Sequence, residues 1–317
     1  MASSAALLRP RRPAWPARIA ILALSGAIAP ERLAAGVQRL TEQGCAVQGG
    51  DAAQAQWRYF AGDDAARLAA LDAVLASDAD LVLFGRGGYG LSRLLDRIDW
   101  ARVADSGKAF CGYSDVTAFS LAALARGRFI TFAGPVAAGD FAQSEDLAAR
   151  EFTEAQFLAV LGANTHVYPR VTSDIDHGRA VVRGTLWGTN LAMISHLVGT
   201  PFMPAIDDGI LLIEDIGEAP YRVERMLHQL RLAGILACQR AIVLGGFTDC
   251  DSAPGARFPY TMPEVVETLR QLVPCPVLTG FPFGHIMAKV TLPMGAAAEL
   301  TIDGADYTLA VRDYWRD

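Results

Sequence analysis

The sequence predicts an α/β protein: an N-terminal, mainly parallel sheet flanked by helices, followed by a second, C-terminal α/β domain. Three observations carry this. Up to about residue 160, short apolar runs alternate with amphipathic stretches, the pattern of a parallel sheet covered by helices on both faces. A polar, turn-rich stretch, ANTHVYPRVTSDIDHGRAVVRG, then interrupts the alternation over 163–184. Finally, 317 residues with 52% apolar content exceed what one core usually holds.

Each element follows in order. Residues 1–16, with Arg9, Arg11, Arg12 and several prolines, read as a flexible leader. These arginines and Arg18 precede the apolar run Ile19–Leu24, and Ala27-Ile28-Ala29 imitates a signal-peptidase site. The run is only six residues long and Pro30 would follow the cut directly, so a first buried strand is the expectation. Further strands are predicted at Leu81–Phe84, Ala109–Gly112 and Phe129–Phe132, with helices at Glu31–Gln43, Ala65–Ala76, Leu91–Leu95, Val116–Ala125 and Glu154–Leu161. This N-terminal domain spans 17–162, and 163–184 reads as a linker. The C-terminal domain, 185–317, is predicted to hold helices at Asn190–Val198, Tyr221–Leu232 and Pro263–Leu272. Its strands fall at Ile210–Ile213, Ala241–Leu244, Val277–Leu278, Lys289–Leu292 and Ala298–Ile302.

Composition narrows the function. A formal net charge of -6 without a basic block argues against nucleic acid as a partner, because phosphate contacts need clustered Lys and Arg. Nothing approaches the length of a transmembrane helix, so no membrane partner is expected. The five cysteines show no C-x-x-C, and their odd number fits free thiols in a reducing compartment, which makes the cytoplasm the expected location. No H-E-x-x-H or comparable ligand set calls for a metal, and no cofactor is expected.

The stretch CGYSDVTAF places Ser114 where a strand turns into a helix. A serine there can cap the helix. It can equally be lifted above the sheet as a nucleophile, as in the G-x-S-x-G elbow, where the next backbone N–H helps bind an oxyanion. Gly112 is present, but Val116 replaces the second glycine, so this stretch leaves both readings open. Cys111, inside the apolar run, reads as a buried strand position.

GRGGYG, Gly85–Gly90, follows the strand DLVLF and formally matches the G-x-G-x-x-G of a Rossmann-like dinucleotide site. It sits on an internal strand, however, and the first strand-to-helix turn carries SGAIAP instead. Alternatively its N–H groups approach an oxyanion while Arg86 grips a carboxylate, or the glycines only make a tight turn. A serine nucleophile needs a base, usually histidine. His196 and His228 lie within amphipathic helices and His166 and His177 in the linker, whereas His285 follows Gly284 in a loop leading into a strand. The base needs a carboxylate to hold it. Glu214 closes the apolar run GILLIE, with Asp215 and Glu218 as competitors, the latter placed to cap the helix beginning near Tyr221.

Over nearly the whole chain from Ile19 onward, the sequence resembles the LD-carboxypeptidases, a family of serine peptidases. The resemblance is carried by YFAGDDAARL, GRGGYGLSRLLDRIDW, CGYSDVTAF, ITFAGP, GTLWGTNLAMISHLVGTPFMP, ILLIEDIGEAPYRVERMLHQL and GFPFGHIMAKVTLPMGA, in that order. It implies Ser114 as nucleophile, His285 as general base and Glu214 as the acid that orients it, split between the two domains. It also implies an oxyanion hole from the N–H of Asp115 and one from the Gly87-Gly88 pair, Gly88 being preferred, while Arg86, Gly87 and Tyr89 are candidates for substrate contact. The chain departs from the family in its leader and in ALSGAI, where a Ser-Gly pair more often follows proline. The implied activity is removal of the terminal D-alanine from the murein tetrapeptide, through an acyl-enzyme, for cell-wall recycling by a cytoplasmic homodimer. Two alternatives are a branch of the same family that cleaves peptide-nucleotide antibiotics and confers self-immunity, and a dinucleotide-binding protein that uses Gly85–Gly90.

Overall fold

In the computed structural model, which describes residues 7–143, 145–253 and 255–316, the apolar runs of the first half become five short strands. These are β1 (Arg18–Leu22), β2 (Ala46–Gln48), β3 (Leu81–Phe84), β4 (Ala109–Cys111) and β5 (Thr131–Ala133). The second half supplies β6 (Thr165–Val167), β7 (Val171–Thr172), β8 (Arg179–Asn190), β9 (Gly209–Ile216), β10 (Gln239–Thr248) and β11 (Val277–Leu278). It ends with β12 (Leu292–Met294), β13 (Ala297–Asp303) and β14 (Asp306–Arg312).

The first sheet runs β12-β5-β4-β3-β1-β2, parallel from β5 to β2, with β12 antiparallel at its edge. Every residue of β3 and β4 is buried, as expected for strands covered on both faces. Because β2 lies on one side of β1 and β3 on the other, the order reverses there, and a crevice opens beyond the carboxyl ends of the strands. The loops after β1, β3 and β4 share that rim. The second sheet runs β11-β10-β9-β8-β13-β14-β6, with β7 also paired to β14. It is parallel from β11 to β8 and antiparallel beyond. One apolar cluster runs from Ile19 and Leu81 through Phe132 to Leu212 and Phe283, so the core is continuous between the two sheets.

Several elements differ from the sequence reading. Residues 163–184, expected as a linker, hold β6, β7 and the first half of β8. Along that half, exposed Arg179, Val181 and Arg183 alternate with half-buried Ala180, Val182 and Gly184, paired antiparallel to β13. The composition looks polar because one face of an antiparallel ribbon meets water. The leader, expected to be flexible, is held where it is described: Leu8 bridges Phe129, the Pro10 carbonyl accepts from Arg316 N–H (2.9 Å), and Trp15 packs edge-on against Phe157. Its first six residues lie outside the described ones. The last strand of the first sheet is Leu292–Met294 rather than Lys289–Leu292, so Lys289 remains in the preceding loop. The predicted helix Leu91–Leu95 is a single 3-10 turn, Leu91–Arg93, and an unpredicted helix, Trp100–Asp105, is capped by Asp99, whose side chain accepts from Arg102 N–H.

Candidate active site

Ser114 sits three residues beyond the end of β4, in the left-handed conformation with φ +68°. A non-glycine residue held there costs on the order of 1–3 kcal/mol and persists only where its surroundings enforce it. Gly112 makes the turn possible, since a Cβ there would lie 2.9 Å from Cβ of Phe84. The helix Val116–Ala122 begins immediately after, with Asp115 at the N-cap position and no side-chain cap. The capping role open to Ser114 is therefore not used, and its hydroxyl faces His285.

Glu214 lies on β9, fully buried, beside Asn190 of β8. Across from it, β10 loses register between Leu244 and Phe247, at Gly245-Gly246. Into this gap docks the loop Phe281–Lys289: Gly246 N–H donates to the Phe283 carbonyl (2.8 Å), and a Cβ on Gly245 would lie 2.4 Å from that oxygen. Gly284, with φ +124°, passes so close to Glu214 that a Cβ would come within 3.0 Å of the Glu214 Cβ. His285 follows. Its carbonyl accepts from Thr248 Oγ1 (2.9 Å), and Tyr113 meets its ring edge-on at 5.1 Å.

The imidazole joins the two sheets. Its Nδ1 is 2.7 Å from Glu214 Oε2 and its Nε2 is 3.0 Å from Ser114 Oγ. A carboxylate can only accept, so the neutral ring carries its proton on Nδ1, and Nε2 is left to accept from the serine hydroxyl. That is the arrangement in which a histidine can take the proton of an attacking serine while a buried acid steadies the resulting cation.

The glycine loop after β3 closes the other side. Gly87 lies against Ser114 so tightly that a Cβ would be 2.6 Å from the serine Cβ and 3.3 Å from Asp115 N. Among the described residues, the N–H groups of Gly87, Gly88 and Asp115 meet no protein acceptor. The cleft in front of Ser114 is lined by Ile28, Arg32, Arg86, Gly88 and His285, among others. It opens into a second one, shared at Tyr113 and Arg32, that reaches Asp140, Met287 and Lys289. Lys289 is ion-paired with Asp140, both buried, and its ammonium stands 4.6 Å over the Tyr113 ring.

The model of the LD-carboxypeptidase N-terminal domain matches residues 19–134, and that of the C-terminal domain matches 183–300. The chain belongs to the LD-carboxypeptidase family. It is 34% identical to the murein tetrapeptide carboxypeptidase of Pseudomonas aeruginosa over 89% of this chain and 92% of that one. The crystal structure of muramoyltetrapeptide carboxypeptidase from Oxalobacter formigenes superposes with a TM-score of 0.85 at 38% identity, covering 93% of this chain and 99% of that one. The microcin C7 self-immunity protein of Escherichia coli is 27% identical over 73% of this chain and 74% of its own. The protein is thus a hydrolase, a carboxypeptidase.

Of the residues singled out in the sequence of this LD-carboxypeptidase, Ser114, His285 and Glu214 come together, with Asp115, Gly87 and Gly88 beside them. Arg86 borders the cleft, its guanidinium donating to the Ala27 carbonyl (2.9 Å). Tyr89 packs one side on Phe60 at 5.9 Å and is otherwise exposed, next to the cleft-lining Gly88. The competitors have other work. Asp215 accepts from Asn190 Nδ2 (3.0 Å) and from Ala192 N–H (2.9 Å), and so holds the start of the helix Leu191–Leu197. Burial pushes its carboxyl up to about 6, against the pull of those donors. Glu218 does not cap the helix Pro220–Leu232; it faces Arg222 at 3.7 Å. Cys111 is buried in β4, and burial pushes its thiol well up, away from reactivity. The loop Gly85–Gly90 leads only into the 3-10 turn, so it lacks the helix N-terminus on which a dinucleotide pyrophosphate rests. Sequence reasoning missed Arg32, in the first turn of the helix Pro30–Glu42, and the pair Gly245-Gly246. Two glycines inside a strand run were the available signal for a bulge and a close backbone approach.

Proposed function

We propose that this LD-carboxypeptidase is a serine enzyme that removes the terminal D-alanine from the murein tetrapeptide. Ser114 Oγ attacks the carbonyl carbon as His285 Nε2 takes its proton, and Glu214 stabilises the imidazolium. The oxyanion is received by the N–H groups of Asp115 and Gly88. Collapse transfers the proton from His285 to the amine of D-alanine, which leaves, and the acyl-enzyme is released by water through the same steps in reverse order. Arg86 grips the terminal carboxylate, with Gly87 and Tyr89 as further substrate contacts. In this reading, residues 17–162 supply the nucleophile and 185–317 the acid and base. The single observation that supports it best is the hydrogen-bonded chain from Glu214 through His285 to Ser114. We place the activity in cytoplasmic peptidoglycan recycling by a homodimer; the free cysteines support a reducing compartment and the murein tetrapeptide carboxypeptidase relative supports the murein substrate.

Incubation with L-Ala-D-Glu-diaminopimelate-D-Ala, followed by mass spectrometry, tests this. D-Alanine release by the wild type and not by Ser114→Ala is the expected result. The similarity to the self-immunity protein supports a second reading, cleavage of a peptide-nucleotide antibiotic. Aminoacyl sulfamoyl nucleotides run in parallel distinguish the two, since turnover of those compounds alone would reject the murein substrate.

A further inference from the structure

Two buried charges outside the Ser114–His285–Glu214 chain hold the loops around it. Arg67, on the helix Asp64–Ala76, is fully buried, and Asp115, next to Ser114, is 2% exposed. Arg67 Nη1 donates to the Leu24 carbonyl and to the Gly90 carbonyl (3.1 Å). Asp115 Oδ2 accepts from the Ser25 hydroxyl (2.6 Å) and from the Leu91 N–H (3.0 Å). Each of the two loops is therefore gripped at consecutive residues, Leu24-Ser25 after β1 and Gly90-Leu91 after the glycine loop. In each case the cation takes a carbonyl and the anion takes a donor.

Between these grips hangs the segment that faces Ser114. Its first residue is fixed by Gly85 N–H donating to the Leu22 carbonyl (2.8 Å), and its middle by Gly26 N–H donating to the Gly87 carbonyl (3.3 Å). Gly90 has φ +147°, and a Cβ there would lie 2.6 Å from Arg67 Nη1, so the glycine is what admits the guanidinium. Arg67 is itself held from outside by Asp64 (2.5 Å) and stacks over Phe60 at 4.8 Å. Among the described residues, Arg67 Nε and Asp115 Oδ1 have no partner. Both charges are thus incompletely satisfied where desolvation is costly. Neutral groups would hold a turn at less cost; charge-assisted bonds hold it more stiffly.

We propose that Arg67 and Asp115 are positioning residues, a buried clamp of opposite charges that sets the Gly88 N–H, beside that of Asp115, against Ser114 for the oxyanion. The proposal rests on the reading of those groups as oxyanion donors. Loosening the clamp lowers kcat and leaves substrate affinity nearly untouched, because the oxyanion exists only in the transition state.

The test compares Arg67→Met, Arg67→Lys and Asp115→Asn with the wild type. Functional sites are counted by titration to completion with a fluorophosphonate, in which Ser114 Oγ forms the bond to phosphorus and fluoride leaves. Misfolded protein drops out of that count. Per titrated site, kcat should fall about 10-fold to 10^2-fold, somewhat less than loss of a whole oxyanion donor, with KM within about 3-fold. Arg67→Lys, whose ammonium keeps the charge without the fork, should fall between Arg67→Met and the wild type. The second-order rate of phosphonylation should drop in parallel. A kcat per site equal to the wild type, or a loss confined to KM, overturns the proposal and leaves the pair a purely structural role. If Arg67→Met yields no titratable protein, Asp115→Asn, which keeps the shape and one acceptor oxygen, decides. If the wild type releases no D-alanine, the substrate reading fails, and the phosphonylation rates still decide the clamp.

Discussion

The two rims that meet at His285 are built by opposite means. On the rim of the first sheet, Ser114 is held in a strained left-handed turn, and buried side chains and close glycine contacts keep the strain in place. On the rim of the second, Glu214 stands on a regular strand that is buried from Gly209 through Asp215, and the precision comes from what is missing: Gly245, Gly246 and Gly284 leave room for the His285 loop to drop onto it. One side stores strain next to the group that must be reactive. The other spends no strain on the acid and leaves the adjustment to clearance. Damage to the first rim should therefore show in chemistry, and damage to the second in the placement of the base.

The largest effect expected is from Ser114→Ala: a loss of about 10^6 in kcat, because members of such a triad act as a unit. Far-ultraviolet circular dichroism should be unchanged, since the turn is made by the surroundings. A residual rate near that of the wild type would break the comparison outright.

Glu214→Gln should cost about 10^4 in kcat, since the amide can donate to Nδ1 and so favours the wrong tautomer. Steady-state kinetics beside the Ser114→Ala variant would separate orienting from bond-making.

Gly284→Ala sharpens the clearance argument. The added methyl meets the Glu214 Cβ at 3.0 Å in a backbone conformation that alanine adopts poorly, so His285 is pushed from its partners. A fall in kcat of about 10^2 is expected for a misplacement of this kind. Full activity in this variant would mean that the loop is not held by the contact with Glu214.

The smallest effect is thermodynamic. Asp215 binds its proton more tightly in the folded protein, at about 6, than in the unfolded chain. Its contribution is therefore fully present below the ordinary carboxylate range and lost as pH rises toward 6, by about 2–3 kcal/mol at most. Urea midpoints measured from pH 4 to 7 should show that decline in the wild type and a flatter profile in Asp215→Asn.

Much of the first rim is legible in the chain. CGYSDVTAF has an apolar run, a small residue and a helix start, and each of these is a local requirement of the turn at Ser114. GILLIE likewise announces a buried strand ending in an acid. The strand β8 is not legible in the same way, because its first half looks like a polar linker until β13, more than a hundred residues later, pairs with it. The leader is similar: Leu8 and Pro10 acquire partners only when Phe129 and Arg316 arrive beside them.

The sequence by itself determined the α/β alternation, the order of the elements and the chemistry available at Ser114, Glu214 and His285, because these depend on periodicity and residue type over short windows. Tertiary structure alone decided that β12 returns to the first sheet, that Arg67 reaches the glycine loop, and that His285 spans 71 residues to Glu214 and 171 to Ser114. Those contacts depend on the closure of long loops and on space left free by glycines in other strands. No local pattern encodes either.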